Sequence, residues 1–543
     1  MKSITQVRPY VQWMLIVLLV SYWIWVHLIF PTPFYTYYDP ETPYMLNSLM
    51  IFKGQRYAYI DHPGTPVEVI GSVLLALTYP AAVLNHEAFV PFTLKNPEIF
   101  LTLARAFLTL MSALCAVLLF RFAFVRKTWL GLLTALAVAL TFYAFHPLSF
   151  TSLVMWSHNS FSFPFGTLLL LLLLVKLRTP QPISQKYIWL FAFCAGALTA
   201  VQLYFATWVI GVSATFVALY ILEKRGWLQI VRVGVVTGLI SILGFIVVTL
   251  PIRSQYPRFL TWINGLIFHQ GVYGGGATGI ISIESLSGSV SRLWLNLPLL
   301  FIASGVLLAS IGILFFIQRR VLSVNSRLWS VALGLSLQLI ATYVLIFKHP
   351  GEIYMLGVAA ILPILFMVTV ALMDSGKPSV KALMTAMSAV VLLSFAVQYV
   401  NAVATQKDRQ NYFATVATET QTHIAERAST LGKSPDTMVV LLTYGLKMSS
   451  PCYALMFGND YANHVFGQEI TEQCPNQMEF NIWSRAIYDN FGGEPSKDFN
   501  WDVMILDPDM VTHKAYDYLN DFGTKSVSNS KKLIFIDDNR AGK

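Results

Sequence analysis

Long apolar runs such as Leu293–Ile317 and Tyr354–Ala371 recur from near the start of the chain to Val400, more than a soluble core could absorb. A run of about 18 such residues spans the hydrocarbon core of a bilayer. Lipid offers no hydrogen bonds, so a spanning backbone must satisfy itself as a helix or a closed barrel. Runs of this length select the helix. Charge agrees, since only 12% of residues are charged against roughly 25% in a soluble domain. The sequence therefore reads as a polytopic all-α transmembrane bundle. Its eleven spans fall at Val11–Phe30, Leu101–Phe120, Thr128–His146, Phe161–Leu177, Tyr187–Leu203, Thr207–Leu222, Val233–Leu250, Leu293–Ile317, Leu328–Ile346, Tyr354–Ala371 and Ala382–Val400.

Orientation follows from Lys and Arg, which favour cytoplasmic loops. The basic loops begin at Arg121, Lys176, Glu223, Gln318 and Asp374, and all fall on one side of the eleven spans, with Lys2 and Arg8. This places the N-terminus inside and the C-terminus outside. It also accounts for the net charge of +9 without nucleic acid, for which no basic stretch carries interleaved aromatics. The first run lacks a small-residue cleavage site, so it reads as an uncleaved span. Pro66–Leu84 is apolar enough to be a further span, but counting it would put every later basic loop outside. It carries Glu68 and Pro80 and reads instead as a helix lying on the outer leaflet. A true span that breaks the charge rule is the other reading.

Two domains result. Residues 1–405 form the transmembrane domain, with residues 31–100 as its first external loop. Residues 406–543 turn polar, with a helix near Tyr412–Leu431 and short apolar runs in "TMVVLLTYG", "WDVMILDPD" and "KKLIFIDDN". Runs of that length with turn-rich flanks are strand-like and predict a small extracytoplasmic α/β domain.

The spans hold almost no ionisable groups; Arg105 sits near the outer end of its helix. A transporter usually needs charged or broken-helix sites at the midplane. Here the polar chemistry gathers in outer loops: Asp39, Glu41, Asp61 and His62, then His158 and Asn159, then Arg253, Arg258 and His269, then Lys348, His349 and Glu352. Carboxylates can take a proton from an attacking hydroxyl or amine. Cationic side chains can hold a phosphate and neutralise its growing charge. Such a pairing suits a lipid-phosphate substrate at the membrane surface. Each residue also has a plainer role. Asp39 before Pro40 is a common turn pair and could cap a helix from Thr42. Glu68 reads as a helix N-terminal charge. "YGGGATG" is a loop, since no Lys-Ser/Thr pair follows it.

The ordered pieces "DPETPY", "LMIFKGQRY", "DHPGTP", "LARAF", "YPRFLTWINGLIFHQGVY" and "KHPGEIYMLGVAAILP" cover about residues 1–372. In that order they resemble the C-type-fold (GT-C) integral membrane glycosyltransferases, closest to the protein O-mannosyltransferase and aminoarabinose-transferase branch. The resemblance implies that Asp39 or Glu41 is the first-loop catalytic acid. It implies that Asp61, His62, Arg105, Arg258, His269, Lys348 and Tyr354 bind the donor. The sequence departs from the pattern in three places. Pro40 separates acids that are usually adjacent. His158 and Asn159 stand where an Asp is common, and become acceptor-side candidates. Ile353-Tyr354 replaces an Arg-Tyr pair.

The function so implied is transfer of a hexosyl or pentosyl group from a polyprenyl-phosphate-linked donor to a glycan, lipid or protein acceptor. It proceeds with inversion outside the cytoplasm, in the plasma (inner) membrane. A flippase or transporter of lipid-linked sugars and a non-catalytic envelope assembly protein are the alternatives. No cofactor and no metal site is expected, because no Cys/His cluster has ligand spacing, although Asp39 and Glu41 leave room for a divalent cation. Cys115 and Cys194 fall in spans as packing residues. Cys452 and Cys474 fall in the outer tail, where an oxidising compartment favours a disulfide.

Overall fold

The computed structural model describes residues 33–60, 64–124, 128–179, 181–268, 283–319, 325–348, 350–373, 377–443, 450–481, 486–488, 501–506 and 523–538, with a few isolated positions. The expected first span, Asp61, His62 and His269 lie outside them. In chain order the helices open with α1 (Tyr38–Phe52), α2 (Thr65–Ala76), α3 (Tyr79–Leu84), α4 (Phe89–Lys95) and α5 (Pro97–Ala123). Then come α6 (Trp129–Ala144), α7 (Leu168–Arg178), α8 (Gln185–Thr199), α9 (Ala206–Leu222), α10 (Trp227–Thr249), α11 (Tyr256–Phe268) and α12 (Ile283–Asn296). The bundle closes with α13 (Pro298–Gln318), α14 (Ser326–Lys348), α15 (Leu356–Leu372) and α16 (Pro378–Leu431). The tail adds α17 (Pro451–Asp460), α18 (Gly467–Gln473) and the strands β1 (Val440–Thr443), β2 (Gln477–Asn481), β3 (Ala486–Tyr488), β4 (Val503–Leu506), β5 (Gly523–Val527) and β6 (Ile534–Asp538).

Contacts divide the chain into two compact units, one of residues 1–30, 60–67 and 105–403 and one of residues 31–59, 68–104 and 404–543. The first is a multi-pass membrane bundle. Among the described residues nine helices are long and apolar enough to cross a membrane, or ten if Trp129–Ala144 and Pro147–Leu153, bent by 94°, form one span. Every expected span within the described residues overlaps a helix, although Leu293–Ile317 begins in α12 and continues as α13 after a break at Leu297. Two details differ from the eleven-span expectation. Helix α8 has only 15 residues, fewer than a straight crossing needs. Thr65–Leu84 has the length and composition of a span, yet it consists of two shorter helices, α2 and α3. Val73, Leu77 and Leu84 stand exposed along it.

Lipid tails are as apolar as leucine, so bundle helices associate through close packing and small residues. A Cβ on Gly196 of α8 would lie 1.8 Å from the Ser241 carbonyl oxygen of α10. The Ser241 hydroxyl donates to the Ala192 carbonyl at 2.8 Å. Helices α9 and α14 meet the same way. A Cβ on Gly334 would lie 2.0 Å from Thr215 Oγ1, and the Thr207 and Thr342 hydroxyls bond at 2.8 Å. The opposite faces carry exposed Leu239, Ile242, Ile313, Phe316 and Leu393, the apolar surface a bilayer requires.

The second unit contains the α/β fold. Its six strands run in the order β3-β2-β1-β4-β6-β5. β1 is parallel to β2 and β4, and the remaining pairs are antiparallel. The three apolar runs read as strands form β1, β4 and β6. The polar end of α16 docks on this sheet: the His423 ring stacks 3.9 Å from that of Phe535, and Arg427 donates to the Asp538 carbonyl at 2.6 Å. Buried Asp502 accepts from Lys433 Nζ at 2.6 Å and from the Val439 amide at 2.8 Å. Cys452 and Cys474 are bonded, their Cα atoms 5.7 Å apart.

Candidate active site

Within the bundle, one end gathers polar groups around an apolar cavity of about 250 Å³. One wall is α11, whose segment "YPRFLTWINGLIF" places Phe259, Ile263, Leu266 and Ile267 at helical spacing. Such spacing makes one apolar face. Ile263, Leu266 and Ile267 line the cavity, and Phe259 of the same helix is buried. Leu345 and Ile346 of α14 form the opposite wall. Lys348, where α14 ends, also lines it, and its ammonium donates to the Ile267 carbonyl. Tyr354, Tyr204 and Gln202 complete the lining.

The loop bearing Tyr354 is held from several sides. Arg292 of α12 donates to the Pro350 carbonyl, and Asn296 to the Glu352 carboxylate at 2.6 Å. His146 Nδ1 accepts from the Leu148 amide at 3.1 Å, so the ring proton sits on Nε2. That nitrogen donates to the Glu352 carbonyl at 2.8 Å. Beside the cavity, "MWSHNSF" forms short tight turns. Ser162 bonds the Tyr204 hydroxyl and donates to the Asn159 carbonyl at 2.6 Å. His158 and Asn159 are each only 5% exposed, and Asn159 Nδ2 lies 3.0 Å from His158 Nε2.

Gln202 is the group that sequence reasoning missed. It is 1% exposed, and among the described residues neither its amide nitrogen nor its amide oxygen has a hydrogen-bond partner. Leaving such a group unsatisfied costs about 1–3 kcal/mol, so it marks a place where a polar ligand atom fits. A single Gln between two apolar helices carries no signal of this in sequence.

Of the other candidates, Arg105 is buried. One turn on, Thr109 donates to the Arg105 and Leu153 carbonyls, both at 3.0 Å. Arg258 stands exposed on α11. Asp39 and Glu41 belong to the second unit. Asp39 sits at a kink in α1 (φ −101°, ψ 111°), before a cis Pro40. Asp39 is exposed and Glu41 buried. Helix α1 is then locked in place by Asn47. Its side-chain oxygen accepts from the Ala58 and Tyr59 amides at 2.7 and 3.0 Å. Its nitrogen donates to the Pro43 and Tyr461 carbonyls at 2.8 and 3.0 Å. Among the described residues no three His, Cys, Asp or Glu side chains group to hold a metal ion.

Fold and site together define an integral multi-pass membrane protein with a small α/β domain and a small apolar cavity bordered by polar side chains. No protein-family model matches the sequence, and no curated protein does. Among solved structures, the chain is similar to the crystal structure of ArnT from Cupriavidus metallidurans bound to undecaprenyl phosphate. That match has 12% identity and a TM-score of 0.48, and covers 96% of this chain and 97% of that one.

Proposed function

We propose that the protein is a C-type-fold glycosyltransferase that moves a sugar from a polyprenyl-phosphate donor to an acceptor outside the cytoplasm. The observation that carries this reading is the pairing of an apolar cavity with unsatisfied polar capacity: Gln202, without a partner among the described residues, beside Lys348, Tyr204 and Tyr354. An isoprenoid segment suits the walls. A phosphate suits the rim, where Lys348 supplies a point charge and the amide and phenols supply donors that strengthen as charge develops. Arg105, Arg258, Asp61, His62 and His269 are the further donor-binding residues.

Asp39 acts as general base, with Glu41 supporting it. The acceptor's proton passes to the carboxylate as its oxygen or nitrogen bonds the anomeric carbon. The bond from that carbon to the phosphate oxygen breaks, and polyprenyl phosphate leaves. A single displacement inverts the anomeric centre. The basic loops face the cytoplasm by the charge rule, so the cavity opens to the outer leaflet.

The test is transfer from a synthetic polyprenyl-phosphate sugar by purified Asp39→Asn protein. A missing general base lowers turnover about 10²–10⁴-fold while donor binding persists. Near wild-type turnover would instead mean that "DPETP" is a turn and cap, worth about 1 kcal/mol of stability.

A further inference from the structure

At the other end of the same bundle helices lies a second cavity, of about 640 Å³. It is separated from the first by the length of α9, whose 17 residues rise about 25 Å. Two cavities so spaced open toward opposite faces of a bilayer. Among the described residues the second is lined by Lys224, Arg225 and Arg327, with Glu223 as the acid among them. A neighbouring cavity of about 370 Å³ shares Ile183, Tyr220 and Arg225 with it and adds Arg232 and Trp189. The four cations come from three places: the α9–α10 turn, α10 and the start of α14.

Their partners are unequal. Arg225 pairs with Glu223 at 3.0 Å, and Arg327 donates to the Thr179 carbonyl. Among the described residues the side chains of Lys224 and Arg232 have neither an ion pair nor a hydrogen bond. Lys224 has a positive φ of 55°, the left-handed position that closes a helix and usually holds glycine. The closing bond runs from the Arg225 amide to the Tyr220 carbonyl at 2.9 Å. A cation therefore occupies the helix-closing position at the mouth of the cavity. Trp189, Trp227 and Leu228 stand exposed nearby, as tryptophan does at a membrane interface.

We propose that these joined cavities bind the phosphate headgroup of an anionic phospholipid, with Lys224 and Arg232 as its principal contacts. Basic pockets between transmembrane helices hold such headgroups. The exposed aromatic and aliphatic side chains beside the pocket give the acyl chains a surface that inorganic phosphate cannot use.

The experiment titrates phosphatidylglycerol into phosphatidylcholine nanodiscs holding the full-length protein, and counts retained phosphatidylglycerol by native mass spectrometry. Saturable binding is expected. Lys224→Gly and Arg232→Gln should each weaken it about fivefold, the factor equivalent to about 1 kcal/mol per basic residue. Lys224→Gly also relieves the backbone, so it should leave the melting temperature unchanged or higher. Lys381→Gln, at the start of α16 and outside both cavities, is the control. Unchanged binding in the double variant, an equal loss with Lys381→Gln, or displacement by inorganic phosphate at matching concentration would each overturn the assignment.

Discussion

Replacing Asn47 by leucine should loosen the segment that carries the acidic motif without touching a reacting group. Asn47 is fully buried, as are Ala58 and Tyr59. Leucine fills the same space and keeps water out, so the Ala58 and Tyr59 amides lose their acceptor and nothing replaces it. Two orphaned amides cost about 2–6 kcal/mol together. Burial of the leucine returns about 1.5–3 kcal/mol, so mid-range values leave a net loss of about 2 kcal/mol. The loss should appear locally, because Lys53 and Arg56 stand exposed next to the pinned segment. Trypsin cleavage there should speed up at least about fivefold, since cleavage of an opened segment follows its population. The melting temperature should fall as well. Asn85→Leu is the control: it removes one exposed bond, to the Ala81 carbonyl, and should stay within about 0.5 kcal/mol of wild type. Equal melting temperatures and equal cleavage rates for Asn47→Leu and wild type would refute the reasoning.

Three further outcomes are expected. Gly196→Ala drives a methyl into the Ser241 carbonyl and should reduce the yield of folded protein. Gly238→Ala on α10, which meets nothing within 4 Å, should be neutral or stabilise by about 0.5–1 kcal/mol; size-exclusion profiles in detergent compare the two. Gln202→Leu should raise thermal stability, because it removes an unsatisfied buried amide, yet raise the KM for the donor if the cavity binds it. Stability rising with unchanged KM would take Gln202 out of the site. Glu419, well beyond the last span, titrates below its ordinary value. Burial pushes it up, but hydrogen bonds from the Ser530 hydroxyl and amide and from Ser528, with the charge of Lys532, more than reverse this. A depressed carboxyl contributes stability that is present above its unfolded pKa and is lost as pH falls through its folded pKa. The docking of α16 on the sheet should therefore weaken below about pH 4.5, as read by hydrogen exchange at Ser530. Glu419→Gln should flatten that dependence.

Span placement was legible in the chain because lipid imposes a one-dimensional rule. Each run must be apolar for about 20 residues whatever it packs against, and Leu101–Phe120 or Tyr354–Ala371 can be read without knowing their neighbours. The three strands β1, β4 and β6 were legible for a similar reason, since each is a short apolar run between turns. β2, β3 and β5 were not. "QMEFN" and "GTKSV" are too polar to announce themselves, and they become strands only because a neighbour supplies hydrogen bonds. Lys348 and Tyr354 stood out as polar groups at the end of an apolar run. That they share one cavity with Gln202 and Tyr204 depends on how α9, α11 and α14 pack, and small residues such as Gly211 and Gly334 set that approach. An unsatisfied amide is a property of its surroundings, so nothing in the letters around Gln202 could mark it. Tertiary structure alone also joins Asn47 to Tyr461, more than four hundred residues away. The acidic motif follows the first apolar run in sequence, but contacts with the tail domain hold its helix in place.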